Sequence, residues 1–274
     1  MALLTLDFYS KELKMSTLLT AVVPDSIRIG TTPLSQRKCL YLLHGLSDDS
    51  TAAVRLSRVE MYARDAGIVV IMPSAGRSMY CDNVLGQNYF THIADEIPEY
   101  MELILGLSRR RESNYIAGIS MGGMGAARIA LTYPERFSAV GLFSGLLDMK
   151  MMMPFITDEQ RAEFPFLMEA ESDIDTSALN PINLLDSEKH AGLNIIVRCG
   201  YQDDLYPMSQ AFYGKAKSLG LNATGIFEQG GHVWQLWDKH IEDFIGMMAD
   251  DADSEDSANR AAGSANRPEG SANG

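Results

Sequence analysis

The chain has 274 residues, 46% of them apolar, and carries a formal net charge of −13. This length and apolar content suit one large domain with a single core and would be small for two. The negative charge excludes a surface that tracks nucleic-acid phosphates and disfavours adhesion to an anionic membrane. The expected partners are therefore neutral or small molecules, with no nucleic acid and no membrane among them.

The three cysteines, Cys39, Cys81 and Cys199, form an odd set without CxxC spacing. They indicate reduced thiols rather than a disulfide framework or a zinc site, and no metal or cofactor is predicted. Met1–Lys14 lacks a basic leader followed by a clean apolar stretch, and no run reaches the roughly 18 apolar residues of a membrane span. We therefore expect a cytoplasmic protein.

Short apolar runs alternate with helical patterns along most of the chain. Lys38–Leu43 and Ile68–Met72 are typical of strands buried on both faces, and Thr51–Ala66 between them has helical spacing that ends at Gly67. The alternation predicts an α/β protein with a mostly parallel, doubly wound sheet and helices on both faces. The later predicted elements are a helix from about Ile93 to Leu107, strands Tyr115–Gly118 and Ala139–Phe143 flanking helix Gly122–Thr132, and then strand Asn194–Cys199, helix Pro207–Leu219, strand Ala223–Phe227 and helix Val233–Met248.

Two segments depart from this alternation. Residues 146–190 are rich in Met, Pro and acidic residues, which predicts a cap-like insertion over the carboxyl edge of the sheet, within a catalytic domain of residues 1–248. Residues 249–274 contain clustered acids and then repeats of S-A-N. A segment with so little apolar surface cannot offset its ordering entropy, so we expect a disordered, low-complexity acidic tail.

The motif G-x-S-x-G occurs at Gly118–Gly122, between a predicted strand and a predicted helix. In that context a serine sits on a strained turn that exposes its hydroxyl, which is the nucleophile position of the α/β-hydrolase fold. Ser120 is therefore the candidate nucleophile. The amide of Met121, at the start of the helix, is a candidate oxyanion donor because helix N-termini favour negative charge.

A serine hydroxyl needs a base and an acid, which in this fold follow the nucleophile in the order Asp or Glu, then His. His232 lies in a glycine-rich loop between a predicted strand and a predicted helix, and we choose it over the other downstream histidines as the base. Asp203 and Asp204 both follow strand Asn194–Cys199; Asp203 is preferred as the acid and Asp204 is the alternative. Both aspartates could instead be turn residues or a cap for the helix after Pro207, or one of the two could do each job.

A second oxyanion donor should come from the loop after an early strand, where His44-Gly45-Leu46 is found. We nominate the amide of Leu46. His44 precedes the serine in the chain, so we expect it to brace the loop rather than to act as a second base.

Six motifs together resemble the esterase D-like serine esterases, and within that group the bacterial tributyrin esterases. The resemblance runs from about Phe8 to Met248 and implies hydrolysis of short-chain acyl esters in the cytoplasm. It also supports Ser120, Asp203 and His232 as the triad and Leu46 and Met121 as the oxyanion donors, although relatives often have an apolar residue at the position of Asp204. The motifs are L-L-H-G-L-S at Leu42–Ser47, G-I-S-M-G-G-M-G-A at Gly118–Ala126, Y-P-E-R-F at Tyr133–Phe137, F-S-G at Phe143–Gly145, C-G-Y-Q-D at Cys199–Asp203 and G-G-H-V-W at Gly230–Trp234.

The predicted function is a serine carboxylesterase that works through an acyl-enzyme. The alternatives are an S-formylglutathione hydrolase, an acetyl or feruloyl sugar esterase, an acyltransferase, and a catalytically dead hydrolase fold that serves as a binding module. Met152 and Met153 in the insertion, and Trp234 beside His232, are candidates for an acyl pocket, because Met side chains adapt to irregular shapes. Plain core or interface packing is the competing explanation, and a homo-oligomer is left open.

Overall fold

The fold was analysed in a computed structural model, which describes residues 1–25, 32–83, 86–164 and 172–264, with side chains as far as residue 249. Eight strands form one sheet in the order β1-β2-β4-β3-β5-β6-β7-β8. The pairs β1/β2 and β2/β4 are antiparallel and the other five pairs are parallel, so the predicted mostly parallel sheet is confirmed. The strands are β1 (Ala2–Ser10), β2 (Met15–Val23), β3 (Cys39–Leu43), β4 (Val69–Pro73), β5 (Asn114–Ile119), β6 (Ala139–Phe143), β7 (Asn194–Gly200) and β8 (Ala223–Glu228).

The helices connect these strands in the predicted alternation. Among the described helices, none is both long and apolar enough to cross a membrane. They are α1 (Ala52–Leu56), α2 (Val59–Ala66), α3 (Tyr89–Thr91), which continues through a π-helical turn (His92–Glu96) into α4 (Ile97–Leu105), then α5 (Met121–Thr132), α6 (Met149–Met152), α7 (Asp158–Glu163), α8 (Tyr206–Ser218) and α9 (Trp234–Ser264).

Strand β3 illustrates how the core is divided between the two faces of the sheet. Successive side chains of a strand point to opposite faces. Cys39, Tyr41 and Leu43 pack with apolar residues of α4, α5 and α8, whereas Leu40 and Leu42 pack with those of α2 and α9. All five are buried, as expected for a central strand covered by helices on both sides. The carboxyl ends of the parallel strands are thereby held on rigid, buried elements.

The sequence analysis did not predict the hairpin formed by β1 and β2. These strands pair along their full length, from Ala2 opposite Val23 to Ser10 opposite Met15. Most residues of β1 are exposed or half-buried, because it is an edge strand. Its alternating apolar and polar residues, which are typical of a half-buried strand, were the signal that could have identified it.

The predicted helix Thr51–Ala66 is two helices, α1 and α2. Ser57 between them is extended, with φ −136° and ψ −179°. The amide of Arg58 donates to Oδ1 of Asp238 on the last helix at 2.8 Å. A tertiary contact therefore replaces the intrahelical hydrogen bond at this point, which local spacing alone cannot reveal.

The last helix is longer than predicted. It was expected over Val233–Met248, and it runs from Trp234 to Ser264. Alanine favours helix, and each residue added to an existing helix fixes few torsions for one new hydrogen bond, so a polar segment can extend a packed helix. The helix therefore extends into the predicted tail as far as Ser264, and disorder of the tail stays a prediction. The remainder of the predicted tail, 265–274, lies outside the described residues, and the catalytic-domain boundary at 248 stays a prediction.

The insertion begins directly after β6. Leu147 and Met149 are buried at its start, and the amide of Met149 donates to Oδ1 of Asn180 at 2.9 Å. Helix α7 begins with a capping box in which Thr157 and Gln160 satisfy each other's backbone amides. Residues 165–171 of the predicted insertion lie outside the described residues. The described part includes two short helices, α6 and α7, beside the carboxyl end of the sheet.

Two glycines allow β5 and α5 to approach closely at the turn between them. A Cβ at Gly118 would overlap the carbonyl oxygen of Gly122, and a Cβ at Gly122 would overlap the carbonyl oxygen of Leu43. Backbone atoms cannot move aside as a flexible side chain can. Any larger residue at these positions would therefore push the helix away from the sheet.

We expect Gly118→Ala to destabilise the fold by at least about 2 kcal/mol, because the added methyl group overpacks backbone against backbone. Gly214→Ala is the matched control: Gly214 lies in α8 with nothing within 4 Å of an added Cβ, so the change should stabilise by up to about 1 kcal/mol. Urea unfolding of both variants measures the difference. Equal stability of Gly118→Ala and the wild type would contradict the close approach.

Candidate active site

Ser120 occupies the turn between β5 and α5. Its backbone has φ 57° and ψ −116°, a region that residues with a side chain rarely adopt. The amide of Ser120 donates to the carbonyl of Phe143 at the end of β6, at 2.9 Å. The strained turn projects the hydroxyl beyond the carboxyl edge of the sheet, with Met121 as the first residue of the helix.

The imidazole of His232 bridges two of the predicted site residues. Its Nε2 lies 3.0 Å from Oγ of Ser120. Its Nδ1 lies 2.9 Å from Oδ2 of Asp203. These three side chains come from loops after β5, β7 and β8, and the structure brings them into one hydrogen-bonded chain. The His232 side chain is 38% exposed, so one edge of the site faces solvent.

The Asp203 carboxylate is fully buried, whereas Asp204 is exposed. Burial by itself would raise the pKa of Asp203. Hydrogen bonds from His232, from the Ser144 hydroxyl and from the Leu205 amide outweigh that effect, so the pKa lies below its ordinary value. The buried group is therefore an ionised carboxylate at neutral pH, aimed at the ring nitrogen of His232.

Ser144 was missed as a site residue, although it lies in the F-S-G motif. It follows β6 with φ 49°, and its hydroxyl accepts a hydrogen bond from Nε1 of Trp237 at 3.0 Å. The same hydroxyl contributes to holding Asp203 ionised. Trp237 also packs edge-on against the ring of His232, with centroids 4.8 Å apart. The signal available in the sequence was a serine at the carboxyl end of a strand next to the nucleophile strand.

The loops that carry Asp203 and His232 are tied to each other. The amide of Gln202 donates to the carbonyl of Gly230 at 2.9 Å, and the amide of Gly230 donates to Oε1 of Gln202 at 2.7 Å. Gly230 has φ 147°, a backbone conformation that favours glycine. The spacing between the carboxylate and the imidazole is therefore fixed by backbone contacts as well as by their own hydrogen bond.

The two predicted oxyanion donors belong to segments next to Ser120. Met121 is the first residue of α5, where an amide has no acceptor within the helix. A methyl group added at Gly45, the residue before Leu46, would lie 3.6 Å from Cβ of Ser120. Among the backbone hydrogen bonds of the described residues, neither the Leu46 amide nor the Met121 amide has a partner.

His44 braces the loop that contains Leu46. Its Nδ1 contacts the carbonyl of Gly45 at 2.7 Å, and its Nε2 accepts from the amide of Ala75 at 2.9 Å. The hydroxyl of Tyr80 donates to the carbonyl of His44 at 3.0 Å. Burial lowers the pKa of His44, which keeps the ring neutral. Both ring nitrogens are thus occupied, in keeping with the loop-bracing role that the sequence indicated.

The remaining histidines are fully buried away from Ser120. His92 shares hydrogen bonds with Ser10 and Glu96, but this second Ser, His and carboxylate group has no exposed member to meet a substrate. His190 contacts backbone at both nitrogens. Burial lowers the pKa of His240 to about 4. These positions are structural. Over the described part of the chain, no cluster of three or more His, Cys, Asp or Glu side chains is arranged to hold a metal ion.

An apolar cavity of about 60 Å³ lies next to the turn of Ser120: Leu146 is part of its wall, and the amide of Leu146 donates to the carbonyl of Ser120 at 3.4 Å. Met152 is part of its wall. Met152 and Met153 both pack against the core, but Met153 is not part of the cavity wall, and Trp234 lines a separate cleft of about 10 Å³ beside His44. The sequence analysis therefore placed one of three candidates at the cavity. The wall consists of Leu46, Met79, Leu146, Met149, Met152, Ile156, Gln160 and Phe164.

Comparison with known proteins places the chain in a family of esterases. The family model described as "Putative esterase" matches residues 10–250, and the chain belongs to this family. It is accordingly an esterase D-like carboxylic ester hydrolase, as the sequence motifs predicted.

Three similar proteins cover nearly the whole chain. An acetyl esterase of Caldicellulosiruptor saccharolyticus is 27% identical over 91% of this chain and 98% of its own length. The fluorophosphonate-binding serine hydrolase FphF of Staphylococcus aureus superposes with a TM-score of 0.81 at 29% identity, and the S-formylglutathione hydrolase FrmB of the same organism with 0.80 at 28%. Each comparison covers 90% of this chain and 98% of the other. The predicted α/β-hydrolase fold is confirmed.

We expect the stability contributed by Asp203 to depend on pH. Because its folded-state pKa lies below the ordinary value of about 3.9, the contribution is present above that value and is lost as the pH falls through the folded pKa. Asp203→Asn should lower the Tm at pH 7. The difference in Tm between this variant and the wild type should become smaller as the pH approaches 3. Calorimetry across this range measures the gap, with the exposed Asp204→Asn as control. A gap that stays constant to pH 3 would refute the assignment.

Proposed function

We propose that this chain is a serine carboxylesterase that hydrolyses short-chain acyl esters through Ser120, His232 and Asp203. The observation that carries the proposal is the hydrogen-bonded chain from Oγ of Ser120 through both nitrogens of His232 to the buried carboxylate of Asp203. A hydroxyl is a weak nucleophile until an adjacent base takes its proton. Here the base is in contact with the hydroxyl and is oriented by a third group.

The reaction proceeds in two halves. Ser120 Oγ attacks the ester carbonyl while Nε2 of His232 takes its proton, and the proton is then given to the departing alcohol. Water, activated by the same nitrogen, attacks the acyl-enzyme and releases the acid and the free serine. The carboxylate of Asp203 accepts a hydrogen bond from Nδ1–H of His232, which holds the tautomer that leaves Nε2 free and stabilises the imidazolium that forms in each half.

The amides of Leu46 and Met121 are proposed to stabilise the tetrahedral oxyanion. Support comes from their position on the two loops that flank Ser120 and from their lack of acceptors among the described backbone hydrogen bonds. An amide that is already held in place does not have to reorient when negative charge develops on the carbonyl oxygen. Losing one such donor typically lowers kcat by 10²- to 10³-fold.

The cavity beside Leu46 is proposed to hold the acyl chain. Its volume of about 60 Å³ is well below the roughly 150 Å³ of a protein cavity that accepts benzene. Acetyl to butyryl groups are therefore the expected acyl portions, and an aromatic acyl group such as feruloyl would require the cavity wall to move. This favours a short-chain esterase over the feruloyl alternative.

S-formylglutathione is a second candidate substrate. One structural neighbour that covers 90% of this chain is an S-formylglutathione hydrolase, and a formyl group is smaller than acetyl, so the cavity does not exclude it. The two candidates differ in the leaving group. The ratio of kcat/KM for S-formylglutathione to that for an acetyl ester decides between them.

Two proposals concern the setting of the enzyme. A cytoplasmic location is supported by the three cysteines Cys39, Cys81 and Cys199, which are free and buried, as is usual in a reducing compartment. Self-association through the insertion is supported by Phe155, which is 80% exposed, and by Met151 at 39%. An apolar side chain exposed to that extent is a common mark of an interaction surface when it lies in a contiguous patch.

Ser120→Ala should reduce kcat for p-nitrophenyl acetate by at least about 10³-fold and abolish labelling by a fluorophosphonate, because both need the serine oxygen. Mass spectrometry of the labelled wild type should locate the adduct on Ser120. Ser16→Ala, an exposed serine on β2, is the control and should keep full activity and labelling. Near-normal turnover by purified Ser120→Ala would show that this mechanism is wrong.

Met152→Ala should lengthen the acyl chain that the enzyme accepts. Each additional CH2 buried in the enlarged cavity contributes ~0.8 kcal/mol, or about fourfold in kcat/KM. A series of p-nitrophenyl esters from acetate to octanoate measures the change. Met153→Ala, one residue further along and outside the cavity wall, is the control. Identical profiles for Met152→Ala and the wild type would remove the pocket assignment.

A further inference from the structure

Arg77 lies in the loop after β4 and contacts both the serine side of the cavity and its cap. Its Nη1 donates to Oγ of Ser47 at 2.9 Å. Its Nη2 donates to Oε2 of Glu163 at 2.9 Å, and its Nε contacts Oε1 of the same carboxylate. Three of the donors of one guanidinium are thereby directed at two separate segments of the chain.

Each of these two segments adjoins residues of the cavity wall. Ser47 adjoins Leu46, which contributes both to the cavity wall and to the proposed oxyanion hole. Glu163 is the last residue of α7, and the next residue, Phe164, is part of the cavity wall, as is Gln160. The guanidinium therefore joins the Leu46 loop to the α7 part of the wall.

The contact has a geometry that a simple surface ion pair lacks. The carboxylate of Glu163 is engaged at both oxygens, the bidentate arrangement that suits the planar guanidinium and not a lysine ammonium. The guanidinium carbon also lies 5.8 Å from the centroid of the Phe164 ring, within the range of a cation–π contact. Phe164 is buried and is part of the cavity wall, so a shift of its ring changes the shape of the cavity.

We propose that Arg77 and Glu163 form a latch that holds the α7 wall over the acyl cavity and thereby sets the longest acyl chain that the enzyme accepts. Arg77 is a positioning residue in this proposal, since it acts through Glu163 and Phe164. The proposal rests on the proposed function, in which the cavity holds the acyl chain. Without this contact, α7 and Phe164 can move away from the rest of the cavity wall, and the cavity then accepts acyl chains with additional CH2 groups.

The test compares Arg77→Gln, Glu163→Gln, the double variant and the exchange Arg77→Glu with Glu163→Arg. The readout is the ratio of kcat/KM for p-nitrophenyl octanoate to that for the acetate. Each single variant should raise this ratio by about 2- to 5-fold, the scale expected when an exposed but well-aligned pair is lost. The double variant should match the singles, because either substitution alone breaks the latch, and the exchange should restore part of the wild-type ratio.

Lys150→Gln is the matched control. Lys150 pairs with Asp175 in the same insertion, and neither residue belongs to the cavity wall. Its ratio should equal that of the wild type. An equal rise in Lys150→Gln would show general loosening of the insertion, and an unchanged ratio in both Arg77→Gln and Glu163→Gln would also overturn the latch.

Hydrogen exchange separates failure of the latch from failure of the esterase mechanism. The amides of Arg161 and Phe164 donate within the α7 segment, at 3.0 and 2.9 Å. Both should exchange faster in Arg77→Gln than in the wild type or in Lys150→Gln, whether or not any ester is turned over. Unchanged exchange contradicts the latch. If hydrolysis by the wild type does not depend on Ser120, only the proposed function is contradicted.

Discussion

The imidazole of His232 is the point on which the site depends, because it must meet a hydroxyl on one side and a carboxylate on the other. The two contacts, at 3.0 and 2.9 Å, join residues that follow three different strands. This is achieved by a parallel sheet, whose carboxyl ends all lie along one edge. The strain at Ser120 and the backbone ties between the Asp203 and His232 loops are both consequences of that requirement.

Much of the framework could be predicted from the sequence because the central strands are buried on both faces. Such strands are uniform apolar runs, and strand β6 was predicted with its observed bounds, Ala139–Phe143. The G-x-S-x-G turn could be predicted for a related reason: its glycines are required by backbone contacts that leave no space for a Cβ. The chain order of serine, aspartate and histidine then selected the side chains that the structure brings together.

What could not be predicted depends on tertiary contacts between distant segments. The break between α1 and α2 is stabilised by Asp238, about 180 residues away in the chain. Likewise Met152 and Met153 are equivalent in the sequence, and only the path of the insertion decides which one meets the cavity. Edge strands such as β1 have weak patterns, since half of their residues face solvent.

The hydrogen bond from Trp237 to Ser144 links the last helix to the carboxylate of Asp203. Trp237 stands on α9, Ser144 follows β6, and the serine hydroxyl in turn supports the charge on Asp203. Helix α9, which packs on the outside of the sheet, therefore contributes to the ionisation of Asp203. If this helix frays on heating, Ser144 loses its contact with Trp237 and Asp203 loses part of the support for its charge before the sheet unfolds. Activity should therefore be lost at a lower temperature than secondary structure.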